Sequence, residues 1–197
     1  MNKKIVEPYS TILEFTSGSI KTFKKKTEVK LSDLRDFFFY KDTVNQILSE
    51  GKNPAIYQYY EHSQDEIYGH LNFGVTVINP GKIGKEYYLT RGHYHAKEEA
   101  TEVYVGLKGE GIMLMQKRDG QTTHLPIHSG IVVYVPPFWA HRTVNIGTEK
   151  LSFFYVYPAD AGHNYDVIKK EGFAKLIVEE EGNPKIIDNP NFFHKSL

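Results

Sequence analysis

The chain has 197 residues, with 24 lysines and arginines against 24 aspartates and glutamates, and no cysteine. Zero formal charge excludes the strong positive field that draws a protein to nucleic acid or to an anionic membrane, and the missing cysteines exclude disulfides, thiolate metal ligation and cysteine nucleophiles. Any metal is left with nitrogen and oxygen ligands, and a small molecule is the expected partner.

The length suits one domain around one substantial core. Aromatic residues make up 14% of the chain, and several tracts alternate apolar and polar residues as half-buried strands do, so an all-β body is expected. The N-terminal stretch MNKKIVEPYSTILEF has two lysines, but Glu7 and Pro8 break it before an apolar run of leader length develops. Nowhere do about twenty apolar residues follow one another. A soluble cytoplasmic protein with no membrane partner is the expectation.

Residues 1–52 read as N-terminal strands and short helices. The basic run KTFKKKTEVK (21–30) could suggest an anion site, but the preferred reading is the solvated face of an edge strand or loop. In LSDLRDFFFYKDTVNQILSEG, Ser32 and Asp42 are each placed to cap a short helix, and Gly51 to stop the second. Residues 53–158 form the barrel core. Its strands are PAIYQYYEH, LNFGVTVIN closed by Pro80-Gly81, KEYYLTRGHYH, TEVYVGLKG, GIMLMQKRDG, QTTHLPIHSG, IVVYVPP, AHRTVNIG and KLSFFYVYP. Short, even turn spacing predicts a small antiparallel barrel or sandwich. Residues 159–197 read as an extension packed on the barrel, with a short helix near YDVIKKEGF and a hairpin around Gly182-Asn183.

The chemistry concentrates in GHYHAKEEATEVYVGLKGEG. Residues two apart in a strand face the same way, so His93 and His95 can present both imidazoles to one point. In the next strand Glu102 and Tyr104 share a face, with Val103 and Val105 on the other. After the Pro136-Pro137 turn, His141, Thr143 and Asn145 share a face, and His141 completes a shell of three histidines and one carboxylate suited to Fe, Mn, Ni or Zn. His124 and His128 lie in a solvent-facing strand and turn and are expected not to bind metal.

His-x-His, a later Glu102 and Gly109 resemble the first signature of the cupin superfamily, while Gly130, Pro136, His141 and Asn145 resemble the second. The resemblance implies a small antiparallel, jelly-roll-like cupin barrel. Two departures stand out. The gap between His95 and Glu102 is longer than most cupins have, so that Glu98 and Glu99 sit nearer the usual spacing, and Phe138 occupies a position where the second motif usually carries glycine. Glu102 is preferred because it lies within the strand-like TEVYVGL.

With Thr90-Arg91-Gly92 before the first histidine, VVYVPPFWAHRTVNIG as second motif and YPADAGHNYD beyond it, the chain resembles the cupin-type glucose-6-phosphate isomerases from about Leu31 to Asn189. That resemblance implies interconversion of glucose 6-phosphate and fructose 6-phosphate in glycolysis and gluconeogenesis, by a homodimer carrying one divalent ion per subunit. Fe(II) is the expected ion, with Mn(II), Ni(II) or Zn(II) as alternatives. It implies a sugar-phosphate pocket lined by Thr76, Thr90, Gly92, Tyr157 and Tyr165. Glu102, His163 and Tyr104 are the candidate proton carriers, and the choice between proton transfer and a hydride shift stays open. Lys85, Arg91 and Lys97 lie near the motif as candidate electrostatic attractors, and Trp139 is expected as a core anchor. Rival readings are a cupin dioxygenase and a non-catalytic sugar-binding cupin.

Overall fold

The structure is a computed structural model describing residues 6–192; residues 1–5, where the stretch read for a leader begins, and residues 193–197 lie outside it. In chain order the strands are β1 (Leu13–Glu14), β2 (Ser19–Ile20), β3 (Lys25–Lys30), β4 (Ala55–His62), β5 (Leu71–Ile78), β6 (Lys82–Ile83), β7 (Glu86–Tyr87) and β8 (Glu102–Lys108). They continue as β9 (Glu110–Gln116), β10 (Thr122–His128), β11 (Val132–Val135), β12 (Ala140–Asn145), β13 (Leu151–Pro158), β14 (Lys175–Glu180) and β15 (Asn183–Asp188). Among the described residues two helices accompany them, α1 (Lys41–Ser49) and α2 (Asp166–Glu171), with one 3-10 turn at Leu31–Leu34. The expected antiparallel all-β architecture is therefore present. No helix among the described residues is long and apolar enough to cross a membrane.

The large sheet runs β11-β8-β13-β5-β4-β3, a smaller one runs β10-β9-β12, and a third runs β15-β14-β7-β6. Every strand pairing is antiparallel, as short connections allow. Val29, Ile56, Ile78 and Leu151 from the large sheet are buried in one cluster with Met113, Ile127 and Val144 from the smaller. Period-two alternation then does the placing. Tyr57, Tyr59 and Glu61 of β4, Asn72, Gly74 and Thr76 of β5, Phe153, Tyr155 and Tyr157 of β13, and Glu102 and Tyr104 of β8 fall on one face, in the register Tyr59↔Thr76↔Phe153 and Glu61↔Gly74↔Tyr155. The second half of the basic run is the edge strand β3 and the first half is loop, both within the expected reading.

Three local expectations are corrected. The N-cap of α1 is Tyr40, with no side-chain cap bond, and Asp42 sits inside the first turn, where its charge still suits the positive end of the helix. Ser32 lies within the 3-10 turn rather than before it, because its N–H donates to Asn53 Oδ1 at 3.0 Å and its hydroxyl accepts from Asn53 Nδ2 at 3.0 Å. KEYYLTRGHYH is not one strand. Beyond β7 only isolated bridges remain, at Leu89↔Val144, His93↔His141 and Tyr94↔Asn164. Gly92 takes a φ of 73°, a left-handed step that ends an extended course. Gly51 does follow the end of α1, and β14 and β15 form the predicted hairpin.

Candidate metal centre and pocket

His93, His95, Glu102 and His141 each offer a ligand atom, and the four atoms all lie within 4.8 Å of one another. Three separate segments deliver them. Bridge hydrogen bonds tie His93 to β12, His93 N–H to His141 O at 3.3 Å and His141 N–H to His93 O at 3.1 Å, so their rings meet at 4.4 Å between centroids. Glu102 opens β8, where it and Tyr104 point inward as expected, at 4% and 6% exposure.

The donor set fits a divalent ion. Two ligands about 2.1 Å from a common ion are about 3.0 Å apart at an octahedral angle and about 3.4 Å apart at a tetrahedral one, and Glu102 Oε2 lies 3.0 Å from His141 Nε2 and 3.6 Å from His95 Nε2. Nε2 of His93 and Nε2 of His95 are buried without a hydrogen-bond partner, a costly state for polar atoms unless a cation takes their lone pairs. The opposite ring nitrogens face backbone carbonyls, His95 Nδ1 toward Gly162 O and His141 Nδ1 toward Trp139 O, both at 3.4 Å. That arrangement holds the proton on Nδ1 and aims Nε2 at the centre. Burial, reinforced by the neighbouring His141, His163 and His95, lowers the His93 pKa well below the usual imidazole value; burial brings that of His95 to about 4. Both are neutral at neutral pH.

A cavity of about 380 Å³ opens onto this centre, and Thr76, Thr90, Gly92, Tyr104, Tyr157, His163 and Tyr165 all line it. His163 stacks on Tyr165 with the rings 5.7 Å apart and 4° from parallel, and its ring lies 4.4 Å from that of His93. Burial lowers its pKa, so it too is neutral near pH 7. Tyr104 is the reverse case, because burial and the adjacent Glu102 hold its pKa well above the ordinary phenol value. Thr90 Oγ1 accepts the Thr143 N–H at 3.1 Å, which leaves the hydroxyl proton available to a ligand.

Of the three nearby cations only Arg91 lines the pocket. Its guanidinium lies over Tyr165, 5.7 Å from the ring centroid, whereas Lys97 pairs with Asp160 at 2.5 Å. Behind Arg91 the wall is braced by Arg142, a fully buried residue whose Nη2 donates to Arg91 O at 2.7 Å and whose guanidinium lies 4.8 Å from the Phe173 ring. A Cβ on Gly92 would meet Phe173 Cε2 at 2.7 Å, so glycine is required there for space as well as for φ. Glu98, the nearer alternative ligand, is turned outward to Arg118. His124 and His128 are exposed, and Trp139 packs against the core, each as expected. Glu61, Tyr155 and Lys25 also line the cavity; Lys25 belongs to the basic run, and no motif or local spacing singles out Glu61 or Tyr155 in the sequence.

A glucose-6-phosphate isomerase from Pyrococcus horikoshii is 46% identical over 186 residues, covering 94% of this chain and 97% of its own. Another from Thermococcus kodakarensis is 45% identical over 185 residues, covering 94% and 96%. Among solved structures, a Bacillus subtilis oxalate decarboxylase superposes with a TM-score of 0.43 at 22% identity, over 53% of this chain and 26% of its own. The model of the glucose-6-phosphate isomerase (GPI) family matches residues 28–192, and the chain belongs to that family.

Proposed function

We propose that the protein interconverts glucose 6-phosphate and fructose 6-phosphate, with one divalent ion, Fe(II) first among the candidates, held by His93, His95, Glu102 and His141. The observation that carries the reading is the convergence of these four ligand atoms at one wall of a cavity lined with hydroxyls. A divalent ion held there supplies Lewis-acid stabilisation to adjacent oxygens as negative charge develops on them.

The chain's own groups supply the rest. Thr76, Thr90, Tyr165 and the Gly92 backbone present donors and a close backbone approach to the phosphate, with Arg91 adding charge. Isomerisation needs a group that takes the hydrogen from C2 and returns one to C1. Tyr104, held protonated by burial, acts as a donor to Glu102 rather than as a base. His163 lies outside the ligand quartet, lines the same cavity and is neutral at neutral pH, so its lone pair can accept the C2 proton. Glu102 is the alternative carrier, at the cost of basicity lost to ligation. Buried aromatic rings around the centre exclude water from the reacting carbons.

A homodimer working in the cytoplasm, in glycolysis and gluconeogenesis, completes the proposal. The test is a coupled isomerase assay on metal-stripped protein reconstituted separately with Fe(II), Mn(II), Ni(II) and Zn(II), with oxygen uptake followed in parallel. Turnover restored by metal without oxygen uptake is the expected result. Oxygen consumption in place of isomerisation supports a dioxygenase, and ligand binding without turnover at any metal loading supports a sugar-binding protein.

A further inference from the structure

Tyr155 and Tyr157 donate their hydroxyls to one oxygen, Glu61 Oε2, at 3.1 and 3.0 Å. This convergence is built across the sheet. Glu61 on β4 and Tyr155 on β13 are not on adjacent strands; both pair with Gly74 on β5, which lies between them. With strands about 4.8 Å apart, Tyr155 must lie across β5 to reach the carboxylate. Gly74 makes that path, since a Cβ there would meet Tyr155 Oη at 2.7 Å and Cζ at 2.9 Å. Tyr157, two residues along the same face, reaches the same oxygen, and its hydroxyl is also hydrogen-bonded by Asn72, whose Oδ1 accepts the Gln64 N–H at 2.7 Å.

The direction of these bonds determines what the wall can recognise. A phenol that has given its proton to a carboxylate faces a ligand with lone pairs, and an ionised carboxylate is acceptor-only. Glu61, Tyr155 and Tyr157 therefore form a surface that accepts hydrogen bonds from hydroxyl donors and repels a phosphate dianion. Lys25, opposite Glu61 in the β3–β4 register, is exposed, so water screens its charge. Of the donors assigned to phosphate, Thr90, Arg91, the Gly92 backbone and Tyr165 come from other segments of the cavity wall, and Thr76 lies two residues along β5 from Gly74.

We propose that Glu61 is a positioning and specificity-determining residue, which orients Tyr155 and Tyr157 as acceptors for the sugar hydroxyls and keeps the phosphate on the Arg91 side of the pocket. The proposal rests on the isomerase reading above, since it assumes a sugar phosphate in this cavity.

The test compares binding of glucose 6-phosphate and of inorganic phosphate, by calorimetry, to metal-loaded wild type, Glu61→Gln, Tyr157→Phe and the double variant. Gln keeps the shape but adds N–H donors. Glu61→Gln is expected to weaken glucose 6-phosphate about tenfold, the scale of a hydrogen bond to a charged group, and to leave inorganic phosphate unchanged or tighter. The double variant should be no weaker than the more affected single variant, because Glu61 acts through Tyr157. Tyr155→Phe is an independent probe and should show the same selective loss. Equal affinity of Glu61→Gln and wild type for the sugar phosphate, parallel weakening of both ligands, or additive effects in the double variant would each overturn the proposal. A wild type that binds glucose 6-phosphate without converting it would overturn the isomerase reading alone.

Discussion

Glu102 Oε2 lies 3.0 Å from His141 Nε2 although 39 residues separate them in the chain, and both side chains are almost wholly buried, at 4% and 2% exposure. A carboxylate buried among three imidazoles, two of which burial holds neutral, is an arrangement that a divalent cation stabilises. His141→Ala and His93→Ala should each lower metal affinity by more than about 100-fold, since even partners that only orient ligands are worth about 10–100-fold. Metal content per chain after dialysis, read beside isomerase activity, checks this. Stoichiometric metal with activity near wild type in either variant would show that the quartet is not the site.

Removing single hydroxyls from the pocket separates binding from chemistry. Thr90→Val deletes a hydroxyl that can donate into the cavity, and it also deletes the acceptor of the Thr143 N–H. Tyr157→Phe deletes one of the two donors to Glu61. Both variants should raise KM for glucose 6-phosphate by about tenfold while lowering kcat less, because the groups lost contact parts of the substrate that do not react. Steady-state kinetics in both directions measure the split. A fall in kcat at constant KM would instead assign these hydroxyls to the transition state.

Glu86 gives a stability prediction with a definite sign. It is 1% exposed, Oε2 accepts the Phe39 N–H at 2.8 Å, and burial raises its pKa from 4.5 to about 7 despite the opposing charge of buried Arg142. The folded state then holds a proton that the unfolded state releases between pH 4.5 and 7, so stability falls as pH rises through that window and levels off above it. At about 1.4 kcal/mol for each pKa unit, the loss is of the order of 3 kcal/mol. Glu86→Gln keeps the acceptor for Phe39 and removes the titration. Urea melts at several pH values should show wild type losing stability relative to Glu86→Gln from pH 4.5 to 7. A difference that does not vary with pH would refute the assignment.

The metal quartet is legible in sequence because its information is local. Period-two spacing pairs His93 with His95 and Glu102 with Tyr104, and two ordered motifs place His141. Glu61 is not legible, because its role depends on the register of three strands and on a missing side chain at Gly74, with partners 94 and 96 residues away. The segment before His93 reads as a continuous strand because apolar and aromatic residues at the right spacing mask a single left-handed glycine, Gly92. Phe138 shows the converse. It has a φ of 69°, the conformation a glycine would adopt freely, so the turn between β11 and β12 keeps its shape at a cost of about 1–2 kcal/mol. Its N–H donates to Glu98 O at 2.8 Å, one of the contacts that hold the turn. The Ser32 cap fails because a distant partner claims it, since Ser32 is committed to Asn53 rather than to a helix end.

Hydrogen transfer between C2 and C1 gives the last prediction. His163 lines the cavity, its ring is 4.4 Å from that of His93, and burial keeps it neutral near pH 7. A neutral imidazole beside carbon-bound hydrogen made acidic by the neighbouring charge is arranged for proton abstraction. A proton held on His163 can exchange with solvent before it returns, although the enclosing rings of Tyr157 and Tyr165 slow that exchange. Isomerisation in D2O should therefore place deuterium at C1 of the fructose 6-phosphate formed, at less than full occupancy, and His163→Gln should lower kcat more than it raises KM. Mass spectrometry of the product measures the label. Complete retention of deuterium from substrate labelled at C2, under slow and fast turnover alike, would indicate direct hydride transfer and would remove the base role from both His163 and Glu102.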